Sequence, residues 1–547
     1  MALPFDRVGG WLTLMALSLA PSVFAHGHEH SDGEQEQLGT VEFATSCSPA
    51  AQAQQNRAVA LLHSFEFGPA AAGFKQVAAT DEACGIAYWG LALAAWGNPF
   101  AAGQKAPGQI QQGRQAIERA NRSPAGSERE RAYVAAVAEL FRDVEHRDQL
   151  TRVLAYRDAM ARLTAAHPED MEASIFYALA LAQSDPPTDK TYADMLKAGA
   201  LLEQLFASHP DHPGLAHYII HSYDVPALAP RALEAARRYA HIAPSAPHAL
   251  HMPSHTFTRL GYWPESIEAN LASAASARRD GATAEELHAT DYLVYAYLQT
   301  GQDGAAKRLL DSLPEIANRF DPEAVGSAAP GMAGVFALAA IPARWALERG
   351  DWRAAAQLEP RASRFPHTEA MTRFARALGA ARVGDRAAAQ SSIDALQQLR
   401  NRLSAANESY WAGQVEIERQ GAAAWLALAA GRAQDALAAM RAAAALEDQT
   451  EKNAVTPGPL APARELLGEM LMETHAPAQA LGEFEATLQK EPDRFRALAG
   501  AARAAAESGD LAKAAKHYGR LATICERGDS PGRAELAEAR RLSSSTR

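Results

Sequence analysis

The chain has 547 residues with 53 Lys and Arg against 64 Asp and Glu, a formal net charge of -11. That length is too great for one ordinary core, so several domains or a repeat array are expected. The acidity, with no face collecting basic residues, argues against nucleic acid as partner. Aromatics make up only 7% of the chain, alanine is abundant, and alternating β-branched runs are missing, so the class is all-α.

In chain order, the N-terminus reads MALPFDRVGGWLTLMALSLAPSVFA. Arg7 precedes an apolar run from Trp11 to Ala20, and Val23 and Ala25 put small-to-medium residues at positions -3 and -1, the pattern of a signal peptide over residues 1–25 cleaved after Ala25. The run is short of the ~20 residues of a membrane span. A periplasmic or secreted location follows, with no membrane span after cleavage. Asp6 beside Arg7 weakens the basic start, which leaves a retained anchor as the alternative. Residues 26–45 are polar and lack helical periodicity, and read as a flexible leader. Its first residues, His26 to His30 in HGHEH, form either a solvated tail or a metal-chelating terminus. Export permits disulfides, and Cys47 with Cys84 is the plausible pair. Cys525 reads as a buried helix residue.

From about residue 50, helical patterns alternate with short Gly, Pro and Asp punctuation. HAPAQALGEFEATLQKEP from His475 and GDLAKAAKHYGRLATICE from Gly509 are offset by 34 residues, aligning Ala480 with Ala514 and Phe484 with Tyr518. Related punctuation recurs at Gly261, Gly301, Gly350, Gly384 and Gly431. An N-terminal repeat region over 46–315 and a C-terminal array over 331–547 are expected, with the break at about 316–330.

This spacing resembles that of the tetratricopeptide-repeat (TPR) family, whose paired antiparallel helices stack into an α-solenoid. More narrowly, residues 41 to 300 resemble a group of exported bacterial repeat proteins in AYWGLALAAWGNPF, IFYALALAQS, HPGLAHYIIHSYD, SAPHALHMPSHTFTRLG and DYLVYAYLQTG. The resemblance implies the fold and a concave groove lined by the first helix of each repeat. It implies no reaction, because fold does not fix function.

Eight of the eighteen histidines lie between His209 and His255. Counted back from the turn glycines, His248 and His288 stand 13 residues before Gly261 and Gly301, His251 and Asp291 stand 10 before, and His255 and Tyr295 stand 6 before. With the preceding anchor near Ala227, His217 and His221 again fall 10 and 6 before it, and one repeat further back Glu172 takes the place of His248. At ~100° per residue, His248, His251 and His255 share an arc of about 60°. In tetratricopeptide repeats these first-helix positions resemble the groove-facing ones. Neutral imidazole is the commonest protein metal ligand, and such a set suits Zn, Cu, Fe or Ni. The candidate ligands are therefore His217, His221, His248, His251, His255, His288 and Asp291. Glu172, Asp224, Arg259 and Tyr295 would orient them or line the groove. His209 and His212, flanking Pro210, read as loop residues.

Seven candidates exceed one ion, so either some act indirectly or two metals bind. The competing reading is a histidine-lined groove without metal. No HExxH or P-loop pattern is present, which removes the simplest zinc-protease and nucleotide readings. Three functions compete. The first is an exported metalloprotein, with or without turnover of a small substrate at the metal. The second is a scaffold binding a peptide or partner protein in its groove, and the third a metal buffer.

Overall fold

The repeat pattern is written in the turns. Gly261, Gly301, Gly350, Gly384, Gly431 and Gly509 all adopt left-handed backbone, with φ between 62° and 86°. At Gly261 a Cβ would stand 2.7 Å from the Pro492 carbonyl oxygen, so neither the conformation nor the space admits a side chain. In three cases the next residue starts the following helix. Asp351, Asp385 and Asp510 accept hydrogen bonds from the backbone N–H groups of Ala354, Ala388 and Lys513. A left-handed glycine closes one helix and an aspartate caps the next, which makes Gly-Asp a complete interhelix turn.

The computed structural model describes residues 36–101, 103–123 and 126–544, and within them the chain is helix joined by turns and loops, with no strand. The α-helices run from Pro49–His63 to Ala534–Ser544. Sequence neighbours pack as pairs, such as Pro366–Arg382 on Arg386–Ala405. Alternate helices also touch, such as Thr283–Gln299 on Gly331–Glu348 and Pro366–Arg382 on Ser409–Ala429. Pairing with the neighbour and contact with the next-but-one is the packing of an all-α tetratricopeptide-repeat solenoid. No helix among the described residues is long and apolar enough to cross a membrane.

Two features depart from the sequence reading. The signal segment and the HGHEH stretch lie outside the described residues. The part of the leader that is described is not a free tail. Leu38, Val41 and Phe43 are buried, Phe43 stacks on Trp89 with ring centroids 5.0 Å apart, and the Thr40 N–H donates to the Asp211 carbonyl at 2.9 Å. Three apolar side chains in six residues were enough to dock it. The second departure is the stretch between the helices Ala433–Glu447 and Ala463–Glu473. It does not stay with its own repeats. Its Glu451 N–H donates to the Pro187 carbonyl at 3.1 Å, and the Glu451 carboxylate accepts from Lys190 Nζ at 2.5 Å and from the Tyr192 hydroxyl at 2.7 Å. This strap crosses to the N-terminal repeats and covers the histidines.

Cys47 and Cys84 are joined in a disulfide across a separation of 37 residues, while Cys525 is free and buried. In the chain-entropy picture a loop of that size contributes about 4 kcal/mol. A Cys47→Ser/Cys84→Ser variant should lose stability of that order in denaturant unfolding. A loss below ~1 kcal/mol would mean that the packing around Phe43 and Trp89 holds this end without the bridge.

Candidate metal centre

The histidine-bearing segments are short and begin with proline. Pro213 opens the helix Pro213–Ser222, Pro247 opens Pro247–His251, and Pro253 opens Pro253–Arg259. Proline at the first helical position has the right φ and lacks only an N–H that has no intrahelical partner there. Pro253 therefore splits what reads as one helix into two, with Met252 as the joint. The joint falls between His251 and His255, and their Nε2 atoms stand 3.0 Å apart. His288 comes from the next first helix, Thr283–Gln299.

All six candidate histidines are buried, with exposures between 0% (His217, His251) and 6% (His288). The open groove expected from the sequence is closed here by the strap. The Tyr292 hydroxyl, among the imidazoles, donates to the Ala454 and Thr456 carbonyls at 3.1 and 3.3 Å. Lys452 Nζ lies 3.7 Å from Asp224.

Two compact triads result. In His251, His255 and His288, and again in His217, His221 and His248, one nitrogen from each ring lies within 4.8 Å of the others. The triads adjoin, with ring centroids 6.0 Å apart for His248 and His251 and 6.1 Å for His221 and His255. A cavity of about 30 Å³ is lined by His221, His248, His255 and His288 together with Ala454 and Val455 of the strap. That is room for more than one water, which needs ~10–15 Å³.

The hydrogen bonds decide which nitrogens are free. Asn270 Nδ2 donates to the Ser266 carbonyl at 2.7 Å, which fixes its amide and turns Oδ1 toward His251. His251 Nδ1 must therefore carry the proton and donate to Asn270 at 2.7 Å. His255 Nδ1 donates to the Asp224 carboxylate at 3.0 Å. In both neutral rings the proton is spent on Nδ1, and two Nε2 lone pairs face each other at 3.0 Å. Tyr292, 3.4 Å from His255 Nε2, brings no relief, because its one proton goes to a strap carbonyl. A proton or a cation between the rings would resolve the repulsion. Burial opposes the proton. It drives the basicity of His251 far down, with His288 and His255 adding to it, lowers His255, and takes His288 to about 3. A metal ion bonds neutral nitrogen. At ~2.0–2.1 Å per bond and ~90–110° between bonds, two ligand nitrogens stand ~2.8–3.4 Å apart.

Asp224 orients His255 and is itself held. Burial pushes its carboxyl up, but Lys452, Arg259 and His255 outweigh burial and keep it well below the usual range. Arg259 Nε and Nη2 donate to the Asp224 carboxylate and its backbone carbonyl, both at 3.0 Å. Arg259 is thus a buried structural partner rather than a surface cation.

Two predicted ligand-region residues fall elsewhere. Asp291, read as a ligand from its register with His251, receives Arg344 Nε at 2.8 Å and Nη2 at 3.4 Å, and belongs to neither triad. Its helix also packs on Gly331–Glu348, and the buried guanidinium there takes the carboxylate. Tyr295 stacks edge-on against Trp263 and accepts from Arg494 Nη1 at 3.2 Å, away from the histidines.

Glu172 lies in a third group that the sequence did not reveal. Its oxygens accept from His63 Nε2 at 2.8 Å and His212 Nε2 at 3.0 Å, and His63 Nδ1 accepts from Tyr218 at 3.0 Å. Burial pushes Glu172 up, but the two imidazoles more than offset it and hold it ionised. Glu172 and His63 find their partners within this group, while His212 Nδ1 is buried without one. His212, read as a loop residue, is buried in it at the start of the helix Pro213–Ser222. The group also serves the centre, since the His63 carbonyl accepts from His217 Nδ1 at 2.6 Å. His63, Asn270, Glu285 and Lys452 carry no local signal in the sequence, because each reaches the histidines only through packing between repeats or from the strap.

A cleft of about 410 Å³ reaches the centre from outside, lined among others by Phe100, Tyr192, His221, Asp224, Trp411 and Lys452. Phe100 stacks on His221 with centroids 4.0 Å apart. Lys452 Nζ is buried without a hydrogen-bond partner, and burial and Arg259 pull it down to about 8.

No protein-family model matches the sequence, and no curated protein matches it. Among solved structures, a human IFIT1 dimer with PPP-AAAA is similar at 11% identity over 76% of this chain and 87% of that one, with a TM-score of 0.38. Naa15/Naa10 bound to HypK-THB is similar at 13% identity over 90% of this chain and 72% of that one, with a TM-score of 0.24. The TPR domain of P58(IPK) is similar at 17% identity over 69% of this chain and 99% of that one, with a TM-score of 0.20. Likenesses this distant carry nothing about ligand, partner or reaction.

Proposed function

We propose that this chain is an exported helical-repeat metalloprotein that holds a transition-metal ion on His251, His255 and His288 and presents it to a small molecule. The observation that carries this reading is the pair of facing Nε2 lone pairs of His251 and His255, 3.0 Å apart with both Nδ1 protons committed elsewhere. A neutral three-nitrogen set suits Zn, Cu, Fe or Ni. Three imidazoles leave a coordination position open, the arrangement of catalytic rather than structural sites. Bound there, such an ion supplies Lewis acidity or an activated water. The chain's own residues would do the rest. Asp224 fixes the His255 tautomer, Asn270 that of His251, and the strap limits water. The ammonium of Lys452 offers spare donors to an anionic substrate in the cleft.

Export is supported by the N-terminal signal pattern and by the Cys47–Cys84 bridge, which persists in oxidising compartments. A scaffold that reads a peptide puts its recognition side chains on an open face, and these imidazoles are buried. That weighs against the histidines being peptide contacts.

The test uses cobalt. Untagged full-length protein, stripped of metal and reloaded with Co(II), should show d–d absorption of a nitrogen-ligated ion. Titration with azide should then shift that spectrum, because azide enters the open position. A Co(II) spectrum identical to that of free cobalt in buffer would sink the metal reading. A protein-bound spectrum unmoved by azide would leave a closed structural site instead of a reactive one.

A further inference from the structure

The second triad poses its own demand. His217 Nδ1 donates to the His63 carbonyl at 2.6 Å, so its Nε2 carries a lone pair, and that atom is buried with no hydrogen-bond partner. His221 Nε2 is buried without a partner as well. So are both ring nitrogens of His248, although its Nδ1 lies 3.3 Å from Glu285 Oε1. Three imidazoles on two elements thus bring unpartnered nitrogens into one small space, with the potential ligand atoms of the triad all within 4.8 Å of one another. Folded proteins leave few buried polar atoms unmet, so a cluster of them on one point calls for a common partner. His217 Nε2 can only accept, and neither His221 nor His248 places an N–H within hydrogen-bond distance of it.

We propose that His217, His221 and His248 hold a second transition-metal ion, so that the two triads form a dinuclear centre with its bridging position in the small cavity between them. The inference rests on the reading of His251, His255 and His288 as the first site. Its own support is independent of the lone-pair conflict there. The cavity is lined by His221 and His248 from one triad and by His255 and His288 from the other. Ring centroids 6.0 and 6.1 Å apart across the triads make the two sites immediate neighbours. Two-metal sites place their ions ~3.5–4 Å apart, where both can grip one substrate oxygen or the attacking and leaving oxygens of a displacement.

Part of the countercharge is at hand. Six neutral imidazoles give two divalent ions no countercharge. Glu285, buried beside His248, has Oε2 without a hydrogen-bond partner, whereas Asp224 behind His255 is already paired with Arg259, so the remaining charge falls to an anionic ligand between the ions. The substrate class that such a centre suits is a small oxygen-donor molecule, anionic or hydrolysable, that enters by the cleft past His221 and Lys452.

The experiment counts ions. Untagged full-length protein is stripped with a chelator, reloaded with Zn(II), desalted, and its zinc measured per chain by elemental analysis. Wild type should hold two, and His221→Ala should hold one. His221 is the variant of choice because it borders the cleft, and far-UV circular dichroism checks its fold. One zinc in wild type, or two retained in a folded His221→Ala, overturns the second site and leaves the first standing. No zinc in wild type overturns the first site as well. Should His221→Ala fail to fold, the Cu(II)-loaded wild type decides. Coupled copper ions with a half-field resonance support the pair, and isolated copper spins that account for all bound ions contradict it.

Discussion

A His251→Ala/His255→Ala variant should lose the ion held with His288 altogether, and with it the stabilisation that metal confers on the folded chain. A ligand that binds only the native state at a hundred times its Kd adds ~2.7 kcal/mol. Wild type should therefore melt several degrees higher with Zn(II) than with chelator, and the double variant should lose the part of that rise due to its own triad. Asp224→Asn separates ligation from orientation. It keeps the size of the side chain but weakens the acceptor that fixes His255, and groups in this role typically change metal affinity ~10–100-fold. Isothermal titration with zinc reads both effects. Undiminished affinity in Asp224→Asn would mean that the carboxylate serves Arg259 and Lys452 rather than the histidine.

Asp291→Ala should behave in the opposite way. The repeat register puts Asp291 in line with His251, and by register alone it is a ligand. In the structure its carboxylate belongs to Arg344, both groups fully buried. Removing one partner of a buried ion pair leaves the other charge without compensation and typically costs ~3–5 kcal/mol. Guanidinium unfolding of Asp291→Ala should show a loss of that size, while its zinc content stays that of wild type. A variant of wild-type stability that has lost zinc would restore Asp291 to the ligand set. Arg344 also donates to Thr456 Oγ1 at 2.7 Å, so part of the measured loss will reflect a loosened strap.

The difference between these two residues shows how far the sequence reaches. The helix pairs are legible because their signals are local. A left-handed glycine followed by a capping aspartate ends one helix and starts the next within two residues, as at Gly350–Asp351 and Gly509–Asp510. The six histidines are legible as a group because equal offsets from such turns place side chains on equivalent faces of neighbouring helices. What register cannot reveal is which of those side chains another repeat claims. Arg344 claims Asp291 from the next-but-one helix, and Arg494 claims Tyr295 from the far end of the chain. Nor can register show that a strap around Lys452 and Ala454 covers the face, because that segment has no helical period and its partners on the histidine face are far off in sequence, at a separation of 162 from Ala454 to Tyr292. His63 and His212 were missed for a related reason. Each sits at a helix end, where a histidine ordinarily answers only to its own helix. Here Glu172 draws both inward.

The most direct measurement is a crystal of the untagged protein soaked in Zn(II), with diffraction recorded on both sides of the zinc absorption edge. An anomalous peak bonded to one nitrogen each of His251, His255 and His288, at ~2.0–2.1 Å, is the predicted result. A soaked crystal with no peak among these three residues, and with zinc only at surface carboxylates or at the HGHEH segment, would contradict it.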